Sequence, residues 1–356
     1  MTSNPRKLAV LYTHPGSYTR ACLRELKETW GWDILAIHYR RSVDVPFAKE
    51  PLDGVAECLD RGTFLNARAI ARRVVESGAR TVLMTGWMDK DYLAAARLLR
   101  REGIYVIAGS DTQFNGSIRQ LIGMWIAPLY LHSAIDVLWV TGERQRQLAW
   151  RLGYRGDRCW TGMYCCDYAP FSAAGMRRKE AGHHFLYVGR YVGVKGLDVL
   201  LDAYRRYRSS TRDPWPLHCI GAGPLKPLLA GAEGVTDLGF VQPDELPSRM
   251  AAAGAFVLPS RKEPWGVVVQ EAAAAGLPLI CSDSVGAAVH LLREGVNGFT
   301  FANGSSVELA AALGKMAAMS AADRCAMAEM GRALARSYMP SIWARTLVDG
   351  VMKAAS

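Results

Sequence analysis

Glu263-Pro-Trp-Gly-Val-Val-Val-Gln-Glu271 runs on through Ala272 to Ala275 and into Gly276-Leu-Pro278. Two carboxylates bracket a glycine and an apolar run that leads into alanines, the pattern of a loop entering a buried helix. With the helix starting near Gly266, Glu263 lies in the loop before it. Glu271 then lies about five residues inside, roughly 7 Å along the axis at 1.5 Å per residue. The unpaired amides of Gly266, Val267 and Val268 fall between the two, and a helix N-terminus of this kind attracts anions. The geometry suits a ligand with a diphosphate in the middle and a hydroxyl-rich group at each end, which describes a nucleotide-sugar.

Upstream comes Phe185-Leu-Tyr-Val-Gly189-Arg190-Tyr-Val-Gly-Val-Lys195-Gly196-Leu-Asp-Val. An apolar strand ends in Gly189 and Arg190, a short loop supplies Lys195, and an amphipathic helix follows. Two cations at the carboxyl end of a parallel strand are placed to neutralise a phosphate pair. Then follow Ile220-Gly221-Ala-Gly223, Val235-Thr-Asp-Leu-Gly-Phe240-Val241 and Phe256-Val-Leu-Pro-Ser260, which leads into Glu263. This order of motifs, dense over residues 185–303, resembles the C-terminal domain of the retaining glycosyltransferases of family four, which includes bacterial mannosyl- and glucosyltransferases. The glycine turn at Gly221 and Gly223 is weak evidence for a nucleotide when taken by itself.

The chain has 356 residues, half of them hydrophobic and about a fifth charged, enough for two soluble domains with separate cores. No apolar run is long enough to span a bilayer, and Leu8–Tyr12, followed by His14 and Pro15, reads as a first strand rather than a signal peptide. Eight cysteines without regular spacing, two of them the adjacent Cys165 and Cys166, give neither a disulfide framework nor a zinc pattern, so a reducing cytosol is expected. The net charge of +10 is spread over both halves. It favours anionic partners in general, or reflects arginine-rich helices from a GC-rich genome. Strands at Leu8–Tyr12, Asp33–His38, Thr81–Thr85, Tyr105–Ala108 and Val137–Val140 alternate with helices at Thr19–Thr29, Ala67–Glu76 and Tyr92–Arg101, which implies a parallel, doubly wound sheet. Residues 172–182 are small and polar and read as a linker, and a second alternation runs from Phe185 to about Phe301. The expected α/β architecture is GT-B: two Rossmann-like doubly wound domains facing a cleft. The first covers residues 1–170, with a tail of residues 336–356 that the resemblance sends back to it. The second covers 183–335 and binds the nucleotide-sugar.

The first turn carries one glycine, Gly16, followed by Ser17, where the resembled family commonly has a glycine pair. Gly16 either lets backbone approach the diphosphate or serves the strand-to-helix turn. At Ala108-Gly-Ser110-Asp111 the family often has a histidine beside the transferred sugar. Here Ser110 or Asp111 occupies that place, and the acidic group of Asp111 either holds a sugar or acceptor hydroxyl or caps the next helix. Asp89-Lys-Asp91 matches a metal signature of another glycosyltransferase fold, but it also precedes a helix, where acidic residues favour the dipole. With Arg190 and Lys195 available, no metal and no cofactor are expected. Residues 117–135 combine Trp125, Tyr130 and aliphatics around Arg119, for a membrane interface or for the core.

The resemblance implies a retaining hexosyltransferase that moves a sugar from a UDP- or GDP-sugar to a saccharide or lipid-linked acceptor. Its setting would be envelope, lipopolysaccharide or exopolysaccharide assembly, in the cytoplasm or peripheral on the inner face of the cytoplasmic membrane. Arg190 and Lys195 would hold the phosphates, Glu271 the ribose hydroxyls and Glu263 the donor sugar. Gly266, Val267 and Val268 would offer amides to sugar and phosphate, and the backbone at Phe240 and Val241 would read the base. Attack from the front face, with the leaving phosphate taking the acceptor proton, requires no protein nucleophile. A nucleotide-sugar epimerase of the same fold is the alternative, although no clear base for it stands out. A dinucleotide-binding Rossmann protein is a further one, against which no Gly-x-Gly-x-x-Gly follows the first strand. No nucleic-acid-binding module is recognisable.

Overall fold

The computed structural model describes residues 6–39, 52–64, 66–177 and 182–355. They form two compact units, one running to Cys165 and resuming at Pro340, the other spanning Cys166–Met339.

The first unit is built on a sheet of seven strands: β1 (Lys7–Tyr12), β2 (Asp33–His38), β3 (Glu57–Asp60), β4 (Thr81–Thr85), β5 (Tyr105–Ser110), β6 (Val137–Val140) and β7 (Cys159–Trp160). The order is β3-β2-β1-β4-β5-β6-β7 and every pairing is parallel. Parallel strands need crossovers, and crossover helices cover both faces, so the central strands are apolar throughout rather than alternating. Leu8, Ala9, Val10 and Leu11 are fully buried, as are Val82, Leu83 and Met84. The edge strands β3 and β7 lie outside the strands expected from sequence; they are short, partly exposed and without an apolar run.

Asp89 and Asp91 have structural partners. Asp89 caps the helix Lys90–Arg101, accepting from the amides of Asp91 and Tyr92 at 3.0 Å each and from the Tyr39 hydroxyl at 3.0 Å. Asp91 accepts from the Arg61 guanidinium at 2.6 Å. The closing helix Pro340–Ala355 belongs to this unit. Trp343 is buried, stacks on Trp139 at 4.8 Å, and donates its indole N–H to the carbonyl of Met163 at 3.0 Å.

The second unit holds six parallel strands: β8 (Phe185–Val188), β9 (Leu217–Ile220), β10 (Val235–Asp237), β11 (Ala255–Leu258), β12 (Leu279–Ser282) and β13 (Gly298–Phe301). Their order is β10-β9-β8-β11-β12-β13. The stretch expected to be a linker is in part a helix, Tyr168–Met176, with Tyr168, Phe171, Ser172 and Gly175 buried. Its small residues serve close packing, since a β-carbon at Gly175 would stand 2.2 Å from the carbonyl oxygen of Ala275. Residues 178–181 of that stretch lie outside the described residues. No helix among the described residues is long and apolar enough to cross a membrane.

Candidate active site

In an open parallel sheet the ligand crevice lies outside the carboxyl ends of the two strands where the winding direction reverses. In the second unit those strands are β8 and β11, adjacent in the sheet but far apart in sequence. Their following loops carry Gly189–Gly196 and Pro259–Gly266, so topology alone gathers Arg190, Lys195, Glu263 and Gly266.

The loop after β8 tightens into a turn at Gly193–Lys195 and ends at Gly196, with φ at +69°. A β-carbon there would stand 2.1 Å from the carbonyl oxygen of Pro259, so a side chain at this point would force the two loops apart. They are also tied by bonds. The Arg261 amide donates to the Val194 carbonyl at 2.9 Å, and the Arg261 guanidinium grips both oxygens of Asp198 at 2.6 Å. That fork holds the Asp198 carboxyl below its ordinary range.

Between the tied loops the Lys195 ammonium donates to Glu263 Oε2 in a close ion pair. The same oxygen accepts from the Ser260 hydroxyl at 3.2 Å, and Glu263 is only 8% exposed. Ser260 is itself set by Ser282, whose hydroxyl donates to the Ser260 carbonyl at 2.6 Å. Gly266 takes φ +97° and leads the helix Val267–Ala274. The Glu263 side chain folds over it, its Cγ 3.1 Å from where a β-carbon of Gly266 would lie. Carboxylate, ammonium and helix amides thus converge at one end of the helix. Val267 and Val268 open its first turn and are half-buried. Arg190 is exposed and makes no ion pair among the described residues, while its carbonyl accepts from the Tyr187 hydroxyl at 3.0 Å.

Glu271 lies within that helix, half-buried and, among the described residues, without a partner for its carboxyl. Burial, unopposed by any donor, raises its pKa to about 7. Gly221 and Gly223 pack the loop after β9 against the loop after β8. A β-carbon at Gly221 would meet the Gly189 carbonyl oxygen at 2.0 Å, and one at Gly223 the Tyr191 carbonyl oxygen at 2.5 Å. The Gly221 amide donates to Gly239 at 2.8 Å, which sets Phe240 and Val241 beside it, past the end of β10.

In the first unit Gly16 stands at the head of the helix Ser17–Trp30 with φ −99°, extended backbone open to any residue. What a side chain there would meet is the Tyr18 ring, at 2.5 Å. Ser17 is exposed in the first turn. Asp111 follows β5 and caps no helix, because the next one, Ile118–Tyr130, begins after Ser117. It lines a cavity of about 960 Å³ at the carboxyl ends of β4 and β5. Burial pushes the phenols of Tyr18 and Tyr164 up, and the Asp111 carboxylate adds to the rise. Of the segment 117–135, Leu131, Ala134 and Ile135 are core. In the helix Ile118–Tyr130 only Ala127 is buried, so the core reading fails for that helix.

Among the described residues no group of three or more histidine, cysteine or acidic side chains is placed to hold a metal ion. Site residues that sequence reasoning missed are Ser260, Asp198 and Arg261, which position others. Ser260 and Asp198 fell within quoted motifs without being singled out, and Arg261 did not.

Residues 182–318 match the family model of the glycosyl transferases group 1. The chain is 28% identical over 183 residues to the O-antigen chain mannosyltransferase B of Escherichia coli, covering 43% of this chain and 45% of that protein. It is 31% identical over 187 residues to a D-inositol 3-phosphate glycosyltransferase of Salinispora tropica, covering 48% and 37% respectively. The matched segment thus spans less than half the length of these curated relatives. Solved structures match nearly end to end. A glycosyltransferase from Rickettsia africae superposes with TM-score 0.77 over 98% of both chains at 12% identity. HepE of Anabaena in complex with UDP superposes with TM-score 0.75 over 98% of this chain and 100% of that one, at 15% identity. By fold the chain is a GT-B protein, and through residues 182–318 it is related to the glycosyl transferases of group 1.

Proposed function

We propose that the chain is a retaining, metal-independent hexosyltransferase that carries a sugar from a nucleoside diphosphate-sugar to a saccharide or lipid-linked acceptor in envelope or exopolysaccharide assembly. It would work in the cytoplasm, peripheral on the membrane face through the exposed Leu121, Trp125 and Leu129. The observation that carries the reading is the meeting of Lys195, Glu263 and the Gly266 helix start at the β8–β11 reversal, with Arg190 exposed in the same loop as Lys195. The names of the relatives, sugar transferases, support it.

Lys195 and Glu263 nearly cancel as a pair, so Arg190 and the helix amides supply the excess positive charge that a departing diphosphate needs. Such preorganised charge carries the largest share of catalysis in many enzymes. The bond from the anomeric carbon to the phosphate oxygen breaks while the acceptor oxygen bonds to that carbon, and the acceptor proton passes to the leaving phosphate. Glu263 accepts from donor-sugar hydroxyls with its remaining lone pairs, and Glu271 accepts from the ribose. The backbone of Phe240 and Val241 meets the base, Gly189, Gly221 and Gly223 shape the phosphate loop, and Gly16 and Ser17 are the first unit's candidates for donor contact. Asp111 orients an acceptor or sugar hydroxyl.

A panel of nucleotide-sugars, screened by hydrolysis and by protection from thermal unfolding, should yield one or a few donors. With that donor, Arg190→Ala and Lys195→Ala should each lose at least about a hundredfold in transfer, since charge-assisted contacts in a transition state are worth about 2–4 kcal/mol. Arg190→Ala is the cleaner variant, because removing Lys195 strands a buried carboxylate. Turnover near that of the wild type in both variants, or no donor in the panel, would remove the reading.

A further inference from the structure

The cavity at the ends of β4 and β5 has a wall that a hydrophilic acceptor would leave wet. Ile118, Ile122, Ile126 and Tyr130 recur every fourth residue along one face of their helix, and all four line the cavity. Ile118, Ile122 and Ile126 are 75%, 57% and 49% exposed, an uncovered stripe rather than a packed helix face. The opposite character appears at the mouth. Lys90 and Arg119 line the same cavity, are exposed, and pair with no carboxylate among the described residues. The polar floor is Ser110 and Asp111, where the chemistry of an acceptor hydroxyl was placed above.

We infer that this cavity binds an acceptor that is itself an anionic amphiphile, its hydrocarbon chain along Ile118, Ile122 and Ile126 and its phosphate between Lys90 and Arg119. The inference deepens the transferase reading and rests on it for the word acceptor. A neutral saccharide would answer neither the apolar stripe nor the two exposed cations. A flat bilayer would meet the outer face at Leu121, Trp125 and Leu129 but would not enter a cavity of about 960 Å³. One molecule with a single charged group and a single chain answers both features, since the chain removes apolar surface from water while the phosphate gains charge-assisted bonds.

The test uses the full chain and three probes: dodecyl phosphate and dodecyl maltoside, both below their micellar concentrations, and inorganic phosphate. Calorimetry should give at least a tenfold preference for dodecyl phosphate over dodecyl maltoside, with no binding of inorganic phosphate in the same range. Ile122→Asp with Ile126→Asp should weaken dodecyl phosphate at least tenfold. Lys90→Ala with Arg119→Ala should erase the preference while leaving dodecyl maltoside unchanged. All four side chains are exposed, so thermal unfolding should show the variants folded. Binding of UDP and GDP, measured in parallel, should not respond. Equal affinity of the wild type for the two amphiphiles would overturn the proposal. So would binding to phosphatidylglycerol vesicles without binding to monomeric dodecyl phosphate, which would mark a membrane surface instead. Absence of nucleotide binding with the amphiphile pattern intact would sink the transferase reading and keep this site.

Discussion

At the scale of single residues, Glu271 has the most specific consequence. Its carboxyl has no donor among the described residues, and burial raises its pKa to about 7. Only the ionised form accepts from both hydroxyls of a ribose, so nucleoside affinity should strengthen as pH rises through about 7. If the neutral form binds negligibly, affinity should fall roughly tenfold between pH 8 and pH 6, as protonation overtakes the carboxylate. Adenosine, uridine and guanosine carry no phosphate to titrate, and calorimetry with whichever of them binds reads the effect directly. Glu271→Gln should bind weakly with no such slope near neutrality, and an equal slope in wild type and variant would exclude Glu271 as its origin. The stability term has the opposite sense. A carboxyl whose pKa is raised on folding favours the folded state at pH values below its unfolded pKa and loses that contribution as pH rises to about 7. Much of this site was readable in the sequence, because Arg190, Lys195, Glu263 and Glu271 stand in motifs of fixed order. The direct bond from Lys195 to Glu263 was not, since 68 residues separate them and only the adjacency of β8 and β11 brings them together.

Elements were readable where burial writes itself as an apolar run. The strands β1, β2, β4 and β6 are central or near-central and announced themselves, whereas the edge strands β3 and β7 carry polar or aromatic residues and gave no period to follow. The helix Tyr168–Met176 was hidden for another reason: alanine and glycine serve close helix packing as readily as they serve a linker, and only the neighbour at Ala275 decides. The same proximity gives a prediction for the loop element of the site. Gly196→Ala would set a β-carbon 2.1 Å from the Pro259 carbonyl oxygen at φ +69°, whereas one at Gly193 would meet nothing within 4 Å. Gly196→Ala should therefore cost roughly 2–4 kcal/mol, and Gly193→Ala should stay within about 1 kcal/mol, both read from denaturant midpoints. Equal losses in the two variants would mean that the contact between the loops is not what Gly196 provides.

At the scale of the whole molecule, the chain leaves its first unit after Cys165 and returns to it at Pro340, so the last helix stabilises a unit whose strands were made some two hundred residues earlier. No pattern in the sequence itself assigned residues 336–356 to either unit, and only the resemblance sent that tail back. The contacts that fasten it are the Trp139 stack and the Met163 carbonyl. Trp343→Ala removes a buried indole, its stacking partner and its hydrogen bond, for about 3–5 kcal/mol. That loss should fall on the first unit. A nucleoside diphosphate bound at the β8–β11 reversal stabilises the second unit by mass action, so the transition it raises identifies that unit in a thermal scan. In Trp343→Ala the nucleotide-responsive transition should hold its midpoint while the other drops. A drop confined to the nucleotide-responsive transition would assign the helix to the wrong unit, and with it the return of the chain at Pro340.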